Sequence, residues 1–196
     1  SVSGSVSGSG MNGFAGGVVG YQSGGFLTGC SSSATVNAGN TAGGVAGSTM
    51  QAATLTACYA TGSVTLVSNN DIGTYFAGGV VGSNGGSCIQ ACYAWGSVTG
   101  SGSGSGTVYT GGVTGSNDLG TLTACYHAKG TVSGPDGTTG GVAGRNFKGL
   151  PYSGIITACY WGDNGQTQGI GEDQVGTGET TKVTDGDWQN AVTQMN

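Results

Sequence analysis

Six cysteines and a single histidine are the residues of this 196-residue chain best equipped for chemistry. Cysteine acts as a nucleophile, a metal ligand or a disulfide partner, and each use demands a particular neighbourhood. A zinc site needs close pairs such as C-x₂-C, backed by a second pair or by histidines. Cys30, Cys58, Cys92, Cys125 and Cys159 instead stand 28, 34, 33 and 34 residues apart. Cys88 is four residues before Cys92, but no second pair or histidine cluster accompanies it. Any histidine-based triad or acid–base dyad would have to run through His127, two residues after Cys125. Activation requires a partner in space, and a two-residue spacing does not supply one. The plainer reading of His127 is a solvated loop or bulge residue.

A second kind of chemistry is recognition by aromatic rings. Tyr59, Tyr93, Tyr126 and Tyr160 each follow one of the spaced cysteines, and Trp95 and Trp161 lie close by. A strip of such rings suits stacking on sugars. The alternative is a packing ladder, in which aromatic neighbours on adjacent strands contribute about 0.2–1 kcal/mol each. Repetition of the position favours the ladder, because repetition is what folding of an array demands. Thr56, Thr123 and Thr157 form another column, of the kind an ice-binding face would use, but Gln90 interrupts it. A glycan-active enzyme would concentrate carboxylates, yet Asp71, Asp118 and Asp136 are singletons in separate loops. The one acidic cluster is C-terminal: Asp163, Glu172, Asp173, Glu179, Asp185 and Asp187. Its spacing is not that of an EF-hand loop. A structural Ca²⁺ stays open there, although a solvated acidic cap explains the charges more simply, and no cofactor is otherwise expected.

The elements that carry these residues are repeats. Gly-Gly-Val-x-Gly occurs at 16–20, 43–47, 78–82, 111–115 and 140–144. After each copy comes an aliphatic residue three places before a cysteine: Leu27, Leu55, Ile89, Leu122 and Ile156. A valine then follows in a Gly-Ser-Val-like string, as Val36, Val64, Val98 and Val132. The strings are short, rich in Val, Ile, Leu, Thr and Tyr, and bounded by turn residues, which predicts strands. The segments that vary in length, such as 66–77, 99–110 and 145–155, read as loops. Such an array predicts an all-β parallel solenoid of about five glycine-rich rungs, since one rung cannot bury its own apolar side chains. Val18, Val45, Val80, Val113 and Val142 are expected to form one inward ladder, and the aliphatic residues before the cysteines a second. Equivalent cysteines then stack inside as small apolar residues, with a bridge from Cys88 to a neighbour as the minor case.

Composition excludes several other classes. Glycine is abundant (45 residues) without a Gly-X-Y period, which rules out collagen. A hydrophobic fraction of 36%, recurring at fixed places, argues against a disordered linker. The net charge is −5 and the only bases are Lys129, Arg145, Lys148 and Lys182, so no cationic cluster exists for nucleic acid. No apolar run reaches the length of a membrane span. Residues 4–10 match 96–102, so residues 1–10 read as the tail of an earlier repeat and the native protein is expected to continue upstream. The solenoid is expected over 1–161 and an acidic cap over 162–196. Within the cap, Asp187 is a plausible N-cap for a short helix over 187–195. Trp188, Ala191, Val192 and Met195 share one face of it, and the last rung near Ile156 and Ala158 is its expected dock.

Gly-Gly-Val-Val-Gly at 78–82, followed by a polar stretch and Cys92-Tyr93-Ala94-x-Gly96-Ser97-Val98, resembles the GLUG motif. That repeat occurs in bacterial surface proteins, including immunoglobulin-A-peptidase-like adhesins, and is frequent in Bacteroides-type bacteria. The resemblance covers about residues 4–161. It departs at Ser31, which replaces the tyrosine, at an extra residue near His127, and at the insertion 145–155. It implies an exported protein, cell-surface, outer-membrane attached or secreted, and carries over no catalytic residue. The expected function is a non-catalytic structural stalk or adhesion module, monomeric, meeting a host or bacterial surface glycan or protein. A carbohydrate-binding module using Tyr59, Tyr93, Trp95, Tyr126, Tyr160 and Trp161 is the alternative, and a glycan-active β-helix enzyme the third reading.

Overall fold

A computed structural model describes residues 1–8, 13–69, 72–184 and 187–195. Residues 9 and 10, Asp71 and Asp185 fall outside this set, as does the side chain of Met195. The chain is a parallel β-solenoid with one short C-terminal helix, Trp188–Met195. Successive strands enter different sheets, so each turn of backbone visits five sheets before returning to the first. One turn runs through Thr74–Gly78, Val81–Gly85, Cys88–Gln90, Tyr93–Ala94 and Val98–Gly102.

The register places like upon like. Leu27, Leu55, Ile89, Leu122 and Ile156 are paired in sequence, and so are Val36, Val64, Val98 and Val132. The valines of Gly-Gly-Val form their own ladder, each N–H donating to the next valine's carbonyl from Val18 through Val142. Val45, Val80, Val113 and Val142 are fully buried in one core cluster, with Val18 partly buried against it. A second cluster gathers Val36, Val64, Val98, Leu66, Tyr75 and Val108. Burying a side chain of this size contributes about 1.5–3 kcal/mol, so the ladders carry the fold.

Close approach explains the repeated glycines. A Cβ on Gly79 would collide with the carbonyl oxygen of Gly112 and the side chain of Ala94. Positive φ appears elsewhere, at the corner just before each buried cysteine. Ala57, Ala91, Ala124 and Ala158 have φ of 53°, 52°, 52° and 50°, and Gly29 (63°) stands at the same place in the first complete turn. This left-handed step turns the chain so that the cysteine points inward and the following tyrosine outward. An alanine there is disfavoured by roughly 1–2 kcal/mol, which the surrounding ladders must outweigh.

The stacking does not stop at Trp161. Ile170–Asp173 pairs with Ala143–Phe147, and Thr180–Lys182 pairs with Cys159–Trp161, adding to two of the sheets. Ala143 faces Ile170, which puts Gly169 in the valine column; Val142 N–H donates to its carbonyl. The Trp161 ring lies where a side chain on Gly169 or Gly141 would be, so one large residue closes the core. The helix is capped by Asp187, whose Oδ1 accepts from Asn190 N–H at 3.4 Å. It docks against Tyr160, Val183, Tyr126 and Ala158, on the outer tyrosine side and not over the end near Ile156. Of its predicted apolar face, Ala191 is buried, Trp188 half-buried and Val192 exposed. The insertion at 145–155 carries Leu150 and Tyr152 outward, 96% and 70% exposed.

Candidate functional site: an aromatic ladder

The tyrosines form a ladder because cysteine, tyrosine and the next residue alternate in, out and in on a short strand. Tyr59, Tyr93, Tyr126 and Tyr160 occupy one register column, with Ser31 ahead of them. The rings of Tyr59 and Tyr93 lie 4.9 Å apart and 1° from parallel, and those of Tyr93 and Tyr126 4.9 Å and 5°. Burial, with the neighbouring phenol adding to it, pushes the hydroxyls of Tyr93 and Tyr126 above the usual tyrosine range. Trp95 is 41% exposed and tilts against Tyr93 at 5.5 Å, with Lys129 Nζ 5.3 Å from its ring centre.

The six aromatic residues singled out from the sequence therefore separate into two groups. Tyr59, Tyr93, Trp95 and Tyr126 remain at the surface, while Tyr160 and Trp161 are 4% and 5% exposed. Tyr160 is covered by Val183 and the helix, and Trp161 belongs to the main core. Trp161 is closed off inside the core, whereas Tyr160 still lines a groove of about 360 Å³ with Thr181, Lys182 and Asn190. Tyr93 has a ring on each face, so it offers only its edge. Tyr126 has Tyr93 on one side and Trp188 tilted against it at 5.5 Å.

His127 departs from its expected place in a solvated loop or bulge. It belongs to the strand Tyr126–His127 and is 0% exposed. It occupies the inward column of Ala60 and Ala94, followed by Trp161. Its Nε2 lies 3.0 Å from Gly96 O and its Nδ1 3.1 Å from Asn164 Nδ2, which fits a neutral ring donating from Nε2 and accepting at Nδ1. Burial pushes its pKa down, opposed in part by the bond to Gly96. The alternation in Cys-Tyr-Ala, with alanine inward, was the signal that Cys125-Tyr126-His127 puts histidine inside.

The cysteines line the interior beside it. Cys58, Cys92, Cys125 and Cys159 are buried, Cys30 and Cys88 half-buried, and all six are free thiols. Cys125 Sγ–H reaches Thr123 O at 3.3 Å and Ile89 O of the preceding turn at 3.5 Å. Burial pushes the Cys125 thiol well up, which makes it a poor nucleophile. In the threonine column, Gln90 pairs with Thr56 and Thr123, so the interruption is real.

Several carboxylates are held in local structure. Asp118 accepts from Arg145 Nη2 at 2.9 Å, and the guanidinium also lies 4.8 Å from the Tyr109 and Phe147 rings. Glu172 accepts from Gln174 and, at 2.6 Å, from the Tyr109 hydroxyl; the two bonds hold its pKa below the usual range. Asp163 pairs with Lys182 at 3.2 Å. Among the described residues, no three His, Cys, Asp or Glu side chains gather as a metal site would need.

A buried amide ladder went unread in the sequence. Thr49 Oγ1 donates to Asn84 Oδ1, Asn84 Nδ2 to Asn117 Oδ1, Asn117 Nδ2 to Asn146 Oδ1, and Asn146 Nδ2 to Asp173 Oδ1, at 2.9–3.1 Å. Asn84 also fixes its own corner by accepting from Ser87 N–H at 3.1 Å. The available signal was an asparagine two residues after the last glycine of the third, fourth and fifth copies. Compared with family models, characterised proteins and solved structures, the chain has no significant match in any of the three.

Proposed function

We propose that this chain is a rigid stalk or adhesion module of an exported bacterial surface protein. The observation that carries the reading is the in-register stacking of like residues on every side of the solenoid: valine, leucine and isoleucine, cysteine, asparagine and tyrosine. Each ladder ties one turn to the next, so the array resists bending and shear along its axis. The likeness of its repeat to the GLUG motif supports placement at the cell surface. So does a low-charge surface of Ser, Thr and Gly, which has no use for nucleic acid. Among the described residues, no helix is long and apolar enough to cross a membrane. Antibody raised against the folded chain should label intact cells of the organism that makes it. Labelling that appears only after lysis would overturn the reading.

A further inference from the structure

We propose that the tyrosine ladder is a site of oxidative cross-linking, at which Tyr93 joins Tyr59 through the carbon–carbon bond of a dityrosine. Coupling of this kind needs two phenols side by side, each with a free carbon ortho to its hydroxyl, within reach of an oxidant. The register supplies the neighbours: Tyr59 is paired with Tyr93, and their rings lie 4.9 Å apart and 1° from parallel. That separation matches the roughly 4.8 Å step between strands, so equivalent ring atoms stand level on consecutive turns. Both side chains are only partly buried and project from the outer side of the sheet. A quarter turn of each ring on its Cβ–Cγ bond therefore brings the two ortho edges together.

Neighbouring groups select the pair. Tyr126 stacks on the other face of Tyr93 at 4.9 Å, but Trp188 tilts against it at 5.5 Å and restricts its rotation. Tyr160 lies buried under Val183 and the helix. A second stack, Phe76 on Tyr109 at 6.0 Å and 17°, cannot couple, because phenylalanine has no phenol. Trp95, 41% exposed and 5.5 Å from Tyr93, gives an oxidant a further way in: an electron lost from its indole is replaced from the adjacent phenol. The oxidant class is a haem peroxidase working with hydrogen peroxide. Each phenol gives up one electron and one proton, and the two phenoxyl radicals join at their ortho carbons. The ring hydrogens at those carbons leave as protons while the two oxygens regain protons. Balanced, two phenols and one hydrogen peroxide yield one dityrosine and two waters. The bond ties one turn to the next covalently, as a disulfide would, in a chain whose six cysteines are free thiols. The site goes beyond the stalk reading and rests on it only for the extracellular meeting with peroxide.

The test treats the dilute whole chain, its reachable thiols first blocked with iodoacetamide, with a haem peroxidase and hydrogen peroxide. A monomer-sized product should carry dityrosine fluorescence and weigh two hydrogens less than the parent. Peptide mapping should find the peptide of Tyr59 joined to that of Tyr93. Tyr93→Phe keeps the ring and the stack but should lose nearly all of the monomer-sized dityrosine, and Tyr59→Phe should lose most of it. Tyr126→Phe should leave the yield near that of the parent. Three results would overturn the assignment: no dityrosine in the monomer, a yield untouched by Tyr93→Phe and Tyr59→Phe, or a bond mapped mainly to other tyrosines. None of them bears on surface placement of the protein, which labelling of intact cells decides separately.

Discussion

The first and last turns carry the same repeat but bury it differently. At the N-terminal end Val6, Val18, Leu27 and Cys30 are only partly buried, and the tyrosine column is reduced to serine. At the C-terminal end Ile156, Cys159, Tyr160 and Trp161 are all buried, under two further strands and a docked helix. Position in the repeat is identical in the two places, so the residue alone does not determine its burial. Burial comes from the neighbouring turn, as in any quasi-one-dimensional array. Two further strands, a helix and Trp161 cover the last turn, whereas the column of Tyr59 continues toward the N-terminus as Ser31.

That contrast is broken most severely by placing a charge in the valine ladder. Val80 lies between Val45 and Val113 and is fully buried. Val80→Asp forces either an unpaired carboxylate or a buried protonated acid, and should cost several kcal/mol. Val18→Asp puts the same charge where water reaches it and should cost less than half as much. Urea melts of the two variants measure the difference. Equal losses would mean that the end turn is as well buried as the middle.

A smaller effect is expected from removing the closure on the tyrosine side. Deleting residues 187–196 uncovers parts of Tyr160, Val183 and Tyr126 but leaves Thr180–Lys182 paired to the last turn. The loss should be about 2 kcal/mol, which lowers the melting temperature by roughly 4–8 °C in a chain of this size. Helix residues alone cannot persist in water at this length, so a shortened chain that melts like the parent would show that the helix is not docked.

Much of this architecture was legible because the repeat writes each ladder several times. The Gly-Gly-Val copies fixed the valine column, and the aliphatic–x–x–Cys spacing fixed the second column and the inward cysteines. What escaped the sequence were single substitutions whose column was known but whose size broke the pattern. His127 replaces an inward alanine and Trp161 replaces both an alanine and the missing valine at Gly169, and polarity or bulk made both look external. The acidic tail was read as a cap for its charge, yet Ile170–Asp173 continues a sheet because Gly169-Ile170-Gly171 still satisfies the close backbone approach. The break in the tyrosine column was present as Ser31, recorded as a departure from the motif.

His127 offers the finest probe of the contrast, because it marks where the small inward column Ser32, Ala60 and Ala94 gives way to the bulky residues of the closed end. Its ring is neutral in the fold: Nδ1 faces the Asn164 amide, which can donate but not accept there, and burial holds the pKa below the ordinary 6.5. Above that ordinary value, folded and unfolded states bind the same number of protons at this residue, and its contribution to stability is complete. As pH falls through about 6.5 the unfolded chain takes up a proton that the folded chain refuses, so stability declines, by at most about 1.4 kcal/mol per pH unit. Melting temperature should therefore drop between pH 6.5 and 5, before most carboxylates titrate. His127→Ala restores the residue found in the two preceding turns; it should start less stable because a cavity opens beside Asn164, yet its melting temperature should be flat over the same interval. A parent with no acid-dependent loss in that window, or a variant with the same loss, would place the imidazole in contact with water and return it to the surface.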